Sequence, residues 1–253
     1  MDNDDGWSVV TKGSKKDNSA ALKKAQNAIN REKVEGIRSH FFTDEKDLFG
    51  KIQSSQIYPK TKELIFSFLE SKPLKDQEVS FSIRSIGVGS MIGSLYAYIQ
   101  TSLIYLLQKD LQDFFSVHQV KLSEFFSGIN DPIFTEKDLE YIKEHEMTRI
   151  ENDSDLWTTK KGELSVFYMP HCEKEIYARV LELNKENLEN IIVIGNSFKK
   201  YVDHLELVGK TFAGFEIMKS AIEDSRYKEE ALPGFEPCYE AFNNTSFITF
   251  IKK

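Results

Sequence analysis

Apolar and polar positions change their period repeatedly along this chain, and each change marks a change of element. From residue 19 to about 42, Leu22, Ala25, Ile29, Lys33 and Ile37 recur at helical spacing, with Gly36 as an interruption. Leu64, Ile65, Phe68 and Leu69 make a second amphipathic helix ahead of Pro73. At Val79 the period becomes two. Val79, Phe81 and Ile83 alternate with Ser80, Ser82 and Arg84, a strand pattern that runs into Gly87-Val88-Gly89-Ser90. A long helical stripe follows through Leu95, Ile99, Ser102, Leu103, Leu106 and Leu107 to about Leu111. The next apolar segment, Val117 to Phe126, precedes Asn130-Asp131-Pro132, and Thr135 with Asp138 forms a capping box for a helix through Leu139 and Ile142. A short strand is predicted around Met147 to Ile150. After a polar loop, Asn152 to Gly162, two apolar strands starting at Val166 and Ile191 flank a helix from Glu173 to about Asn184. Phe212, Phe215, Met218 and Ile222 predict a helix that ends before Pro233, and the run Ser246 to Ile251 predicts a last strand inserted into the sheet.

Strand and helix alternate, which predicts an α/β fold: a Rossmann-like, mostly parallel sheet with helices on both faces and right-handed crossovers. The expected organisation is a flexible polar tail over 1–18, a helical extension over 19–75, and the α/β domain over 76–253. In an open sheet of this kind, ligands bind in the crevice at the carboxyl ends of the strands. The residues that end each strand are therefore the ones to read for chemistry.

Composition narrows the function classes. The 253 residues are 40% hydrophobic and 29% charged, enough apolar content to bury one sizeable core. A net charge of -7 gives no overall electrostatic footprint for nucleic acid, which needs clustered Lys and Arg. The two cysteines, Cys172 and Cys238, have neither disulfide-framework nor CxxC spacing, so a reducing compartment fits and a zinc module does not. The acidic start, Met1-Asp2-Asn3-Asp4-Asp5, lacks a basic region and apolar run, and no segment reaches 18 consecutive apolar residues. The expectation is a cytoplasmic or nuclear chain, or both, without membrane attachment.

Three strand ends carry chemically capable residues. The turn Gly87-x-Gly89-x-x-x-Gly93 lies one residue off the dinucleotide fingerprint, with no following lysine of a P-loop. Its glycines let backbone approach a phosphate, and the same strand, turn and helix occur in methyltransferase-like sheets, where an acid after the second strand grips the ribose. Gly87, Gly89 and Ser90 are the candidate cofactor residues, with Asp131 or Glu124 as the acid. S-adenosylmethionine or a nucleotide is the matching cofactor class; the competing reading is a tight turn for strand–helix packing. His171 and Cys172 follow Pro170 at the second strand end, where a cysteine near a helix start is expected to have a lowered pKa and a histidine can move protons. The competing reading is that both order the turn. Gly195-Asn196-Ser197 lacks the G-x-S-x-G spacing of hydrolases, so Asn196 is a candidate ligand holder and Asn196 or Ser197 a helix cap. No metal site is expected.

Taken in order, these motifs resemble the "sensitivity to red light reduced", or SRR-like, domain family. Gly87-Val88-Gly89-Ser90 with Gln100 resembles its G-x-G-S turn and glutamine, and Asn130-Asp131-Pro132-Ile133-Phe134 its D-P-V-F. Phe167-Tyr168-Met169-Pro170-His171-Cys172 matches F-x-M-P-H-C, Gly195-Asn196-Ser197-Phe198 matches G-N-S-F, and Phe242-Asn243-Asn244-Thr245-Ser246 resembles F-N-D-T-S. The resemblance covers about Val79 to Lys253, and Asp5-Gly6-Trp7-Ser8-Val9-Val10 resembles a tail seen ahead of the domain in some members. It departs at Arg84 and Ser85, where the family has a more apolar strand end, and at Asn244, where it has Asp. The resemblance implies a regulatory protein, acting in circadian rhythm and clock-gene expression and in regulation of haem biosynthesis, with protein partners or a small-molecule ligand. The alternative is an S-adenosylmethionine- or nucleotide-dependent transferase, with Gly87, Gly89, Ser90 and Asp131 on the cofactor and His171, Cys172 and Asn196 near the substrate.

Overall fold

The apolar runs that predicted strands are buried on both sides, and that burial dictates the architecture. In a computed structural model of the protein, described over residues 35–251 apart from 37 and 76, every residue of β4 (Leu164–Met169) and β7 (Thr245–Phe250) is buried. In β5 (Ile191–Asn196) all but Asn196 are buried, and in β1 (Glu78–Ile86) all from Phe81 onward. A sheet without a wet face needs helices on both. With β2 (Lys121–Asn130), β3 (Thr148–Arg149) and β6 (Tyr227–Ala231), these strands form one seven-stranded sheet in the order β3-β2-β1-β4-β5-β7-β6. The first five strands run parallel, β7 is antiparallel to β5, and β6 is antiparallel to β7. The α/β, mostly parallel reading is correct, and the final strand is inserted between β5 and β6.

One face is covered by α1 (Glu45–Ser54), α2 (Ile57–Glu70), α3 (Leu95–Val117) and α4 (Glu136–Glu144), whose Leu48, Ile52, Ile65, Leu103 and Ile142 share a core with Phe81, Ile83, Val166 and Tyr168. The other face carries α5 (Asp153–Trp157), α6 (Lys174–Leu183), α7 (Phe198–Leu207) and α8 (Phe215–Glu223), packed on Phe167, Val193 and Ile248. A 3₁₀ turn over Lys185–Asn190 links α6 to β5, and another, Tyr239–Ala241, lies between β6 and β7. The helical extension is therefore built into the sheet's own core: Phe42, Leu48 and Ile52 belong to the same cluster as β1. The polar tail, and the predicted helix from residue 19 to residue 34, lie outside the described residues.

Local signals explain where elements start. Ser94 caps α3 by accepting from the amide of Ala97, and both halves of the Thr135–Asp138 box are present at α4. Four elements escaped the period analysis: the stretch expected as a polar loop, Asn152 to Gly162, opens with helix α5, started by Asn152 accepting from the Ser154 amide, and α7 was signalled only by its Ser197 cap. Helix α1 is announced by Asp44, whose side chain accepts from the Asp47 amide, while strand β6 reads Tyr-Lys-Glu-Glu-Ala and has no apolar alternation. As an edge strand, β6 has β7 as its single strand neighbour.

Candidate functional site

Parallel β1, β2 and β4 and the neighbouring β5 all finish at one rim, so the sequence candidates come together there with one exception. Glu124 lies back along β2, paired in register with Ser80, and its carboxylate meets the Lys160 ammonium at 2.9 Å. The ribose-gripping position at the rim falls to Asp131 instead.

On the β1–β2 half of the rim, Gly87 and Gly89 adopt φ of +67° and +82°, conformations that glycine reaches without a Cβ penalty. Asp131 Oδ2 accepts the Gly89 amide at 2.8 Å and Oδ1 accepts the Ile133 amide at 3.0 Å. Ser90 turns inward: its hydroxyl donates to Asp138 Oδ1 and Oδ2, at 3.0 and 2.9 Å, and accepts from the Gly93 amide. Asp138, fully buried, also accepts the amides of Ile92 and Thr135 and the Thr135 hydroxyl. A carboxylate has about four lone-pair sites, and these bonds consume them. Asp138 thus clips the glycine turn to the first turn of α4, a role the sequence showed only as a cap.

On the β4–β5 half, His171 sits at φ +59°, in the left-handed region where a non-glycine residue is uncommon. Its amide donates to Asn196 Oδ1 at 3.0 Å, and its Nε2 lies 3.1 and 3.2 Å from the carbonyls of Glu240 and Ala241. Both partners are acceptors, so Nε2 carries hydrogen. Gln100, reaching up from α3, donates to the same Ala241 carbonyl at 2.7 Å, and Tyr168 donates to the Gln100 carbonyl. The connection between β6 and β7 is thereby pinned across the rim, with Phe235, Cys238, Ala241 and Phe242 buried beneath it. Asn196 also donates from Nδ2 to Tyr201, whose hydroxyl donates to the Cys172 carbonyl; the Asn196 amide donates to Tyr177, whose hydroxyl donates to the Met169 carbonyl. Ser197 caps α7, accepting from the Lys200 amide and donating to Glu229. Asn244, at φ +58°, accepts from the Lys200 ammonium at 2.8 Å.

Cys172 is buried where the glycine turn meets β4, and its thiol donates to the Ile86 carbonyl at 3.1 Å. A Cβ placed on Gly87 would lie 2.7 Å from that sulfur. Burial, with smaller contributions from Asp131 and Glu173, pushes the thiol up to about 12, opposite to the lowering expected from its place before α6. Desolvation outweighs the helix start because the sulfur faces a carbonyl and two carboxylates rather than free amides. Arg84 is also accommodated by the far face. It is buried and pairs with buried Glu163 at 3.1 Å, adding bonds to Ser82, Ser165 and the Asp155 carbonyl. Tyr177, Tyr201 and Asp138 were missed as contributors, since nothing in their spacing joins them to the rim.

Among the described residues, no group of three His, Cys, Asp or Glu side chains is placed to hold a metal ion, and no helix is long and apolar enough to cross a membrane. Among the described residues, surface cavities lie away from the rim. One, about 440 Å³, is lined by Leu69, Lys72, Leu74, Phe114 and His118, and another, about 360 Å³, lies between α6 and the start of α8.

Compared with known proteins, residues 55–249 match the family model of the SRR1 domain. A curated relative, the SRR1-like protein of Mus musculus, is 28% identical over 79 residues; the matched stretch is 30% of this chain and 32% of the mouse protein. A solved Streptococcus pneumoniae structure, Sp1610, titled as a candidate tRNA (m1A22) methyltransferase, aligns over 76% of this chain and 71% of its own. Its 14% identity and TM-score of 0.34 make that likeness too slight to bear on chemistry.

Proposed function

This chain belongs to the SRR1-domain family, and we propose that it works as a regulatory protein, in clock-gene expression and the control of haem biosynthesis, by presenting a fixed surface to partners. The observation that carries the reading is the fate of the family motifs. Gln100 and His171 both bind the Ala241 carbonyl, Asn196 holds the His171 amide, and Cys172 is a protonated thiol packed on Gly87. A nucleophile needs a lowered pKa or an adjacent base, and a general acid or base needs a free edge toward substrate. These side chains tie four segments of chain together: Gln100, Asn196 and Cys172 are spent on structural bonds, and exposed His171 commits its amide and Nε2 to them, with only Nδ1 outside the network. Two free, buried cysteines agree with a reducing compartment, and the proposal places the protein in the cytoplasm or nucleus.

One observation favours the transferase reading. Each Asp131 oxygen accepts one amide at the β1–β2 rim, which leaves lone pairs for two hydroxyls of a ribose beside the exposed Gly87 and Ile133. Thermal melting separates the two. A ligand that binds the native state raises the melting temperature by mass action. The regulatory reading expects no shift with S-adenosylmethionine, ATP, NAD or haem. A saturable rise with S-adenosylmethionine or a nucleotide that Asp131→Ala abolishes would establish the transferase reading instead. In cells, removing the protein is expected to change clock-controlled transcripts or haem synthesis; no change in either refutes the regulatory assignment.

A further inference from the structure

The segment ahead of residue 55 lies outside the stretch matched by the domain family, yet it docks on the domain through a specific polar contact. Glu45, the first residue of α1, reaches His145, the C-cap of α4, with Oε1 and Nε2 3.1 Å apart. The other ring nitrogen, Nδ1, lies 2.8 Å from the Tyr141 carbonyl. A carboxylate and a carbonyl are both acceptors. Neutral imidazole has one donor nitrogen and one acceptor nitrogen, so only the imidazolium satisfies both contacts. The ring is buried, stacked on Tyr141 at 3.9 Å and edge-on to Tyr105 at 4.6 Å, so water has little access to replace a lost bond.

We infer that His145 and Glu45 form a proton-operated latch that fixes residues 38–47 against the α3–α4 face and loosens them when His145 loses its proton. The same stretch has further attachments that do not involve the imidazole: Tyr98 donates to Glu45 Oε1 at 3.4 Å and the Lys51 ammonium to the Phe41 carbonyl at 2.8 Å. Arg38 lies over the Tyr98 ring at 4.0 Å, and Phe42 stacks on Phe235 in the connection that spans the rim. Beyond it, Leu48 and Ile52 are wholly buried and keep α1 anchored. The latch therefore governs the entry to α1 rather than the whole helix.

The charges around the ring support the sign. From the docked segment it faces Glu45, with Asp44 beside it; from α3, Tyr98 and Tyr105, the latter under Lys109; from α4, Tyr141 and Glu144; and Glu146, which follows, is paired with Lys109. Burial opposes the imidazolium, but the Glu45 hydrogen bond, the Tyr141 carbonyl and the carboxylates outweigh it and raise the pKa. Glu45 responds in kind: burial pushes it up, and its bonds to His145 and the tyrosines bring it below its ordinary value. Burial raises Tyr98 to about 12 and Tyr141 further, so neither ionises in the same range. A histidine raised on folding contributes stability that is complete below its unfolded pKa and is lost as pH rises through the folded one. The latch is closed in mild acid and opens toward the alkaline side.

Amide hydrogen exchange on the full chain tests this at Phe42, Asp47 and Leu48, with Tyr201 in α7 as internal reference. After correction for intrinsic exchange, the latch residues are expected to exchange faster relative to Tyr201 as pH rises from about 6 to about 9, the direction set by the raised pKa of His145. In His145→Gln the ratio is expected to stay constant across that range. A constant ratio in the wild type, or a pH step that persists in His145→Gln, overturns the latch. Imidazole NMR of the wild type gives a readout independent of any variant's folding. His145 titrating at or below the ordinary histidine value also overturns it, whereas a value above it that falls in Glu45→Gln supports it.

Discussion

Adding one methyl group to Gly87 tests whether the glycine turn and Cys172 are a packed unit. At φ +67° an alanine is strained by about 1–2 kcal/mol, and its Cβ would stand 2.7 Å from a sulfur held by the Ile86 carbonyl. Cys172 is 95% covered, so the sulfur has nowhere simple to retreat, and overpacking adds about 1–3 kcal/mol. Gly87→Ala is therefore expected to cost about 2–5 kcal/mol, or roughly 5–15 °C in melting temperature for a chain of this size. Removing the sulfur should remove the overlap but not the strain. In a Cys172→Ala background the added cost of Gly87→Ala is expected to fall to about 1–2 kcal/mol, a coupling of about 1–3 kcal/mol in the double-mutant cycle. Equilibrium urea unfolding of the four proteins measures it. Equal costs in the two backgrounds would refute the reasoning, because the sulfur would then not be what fills the space above the turn.

The remaining predictions address the other contacts of the rim and the sheet. His171→Ala keeps the left-handed backbone at φ +59° while losing both carbonyl contacts, so His171→Gly is expected to be more stable than His171→Ala by about 1 kcal/mol; the reverse order in urea unfolding removes the strain argument. With its thiol at about 12, Cys172 is expected to be thiolate in only about one molecule in ten thousand at pH 8, and iodoacetamide should label the native protein far more slowly than the unfolded one. Labelling of native Cys172 at the unfolded rate contradicts its protonated, packed state. Arg84→Met leaves the buried Glu163 carboxylate without its cation and is expected to cost about 3–5 kcal/mol, while Arg84→Met with Glu163→Leu recovers much of that loss. A double variant no better than the single one argues that the arginine matters through packing alone.

What could be read from the residues, and what could not, divides along sequence distance. Periodicity located β1, β4 and β5 and the long helix α3, because a side chain's face is set by its neighbours two, three or four residues away. The Thr135–Asp138 box was legible for the same reason. Strand β6 was not: its polar run becomes a strand only because β7 offers it a free edge. Strand ends also located the site candidates, and all but Glu124 came to one rim. Their meaning was decided by topology. Inserting β7 beside β5 brings the Ala241 carbonyl to Gln100, 141 positions earlier, and to His171, 70 positions earlier. It is also the parallel register of β1 on β4 that brings Cys172, after β4, under the turn that follows β1. Local chemistry determined that these residues end strands and turn the chain. Only the tertiary structure decided that their hydrogen-bonding groups meet one another, since an acceptor and a donor so far apart in the chain are joined by the order of the sheet and not by any pattern either one carries.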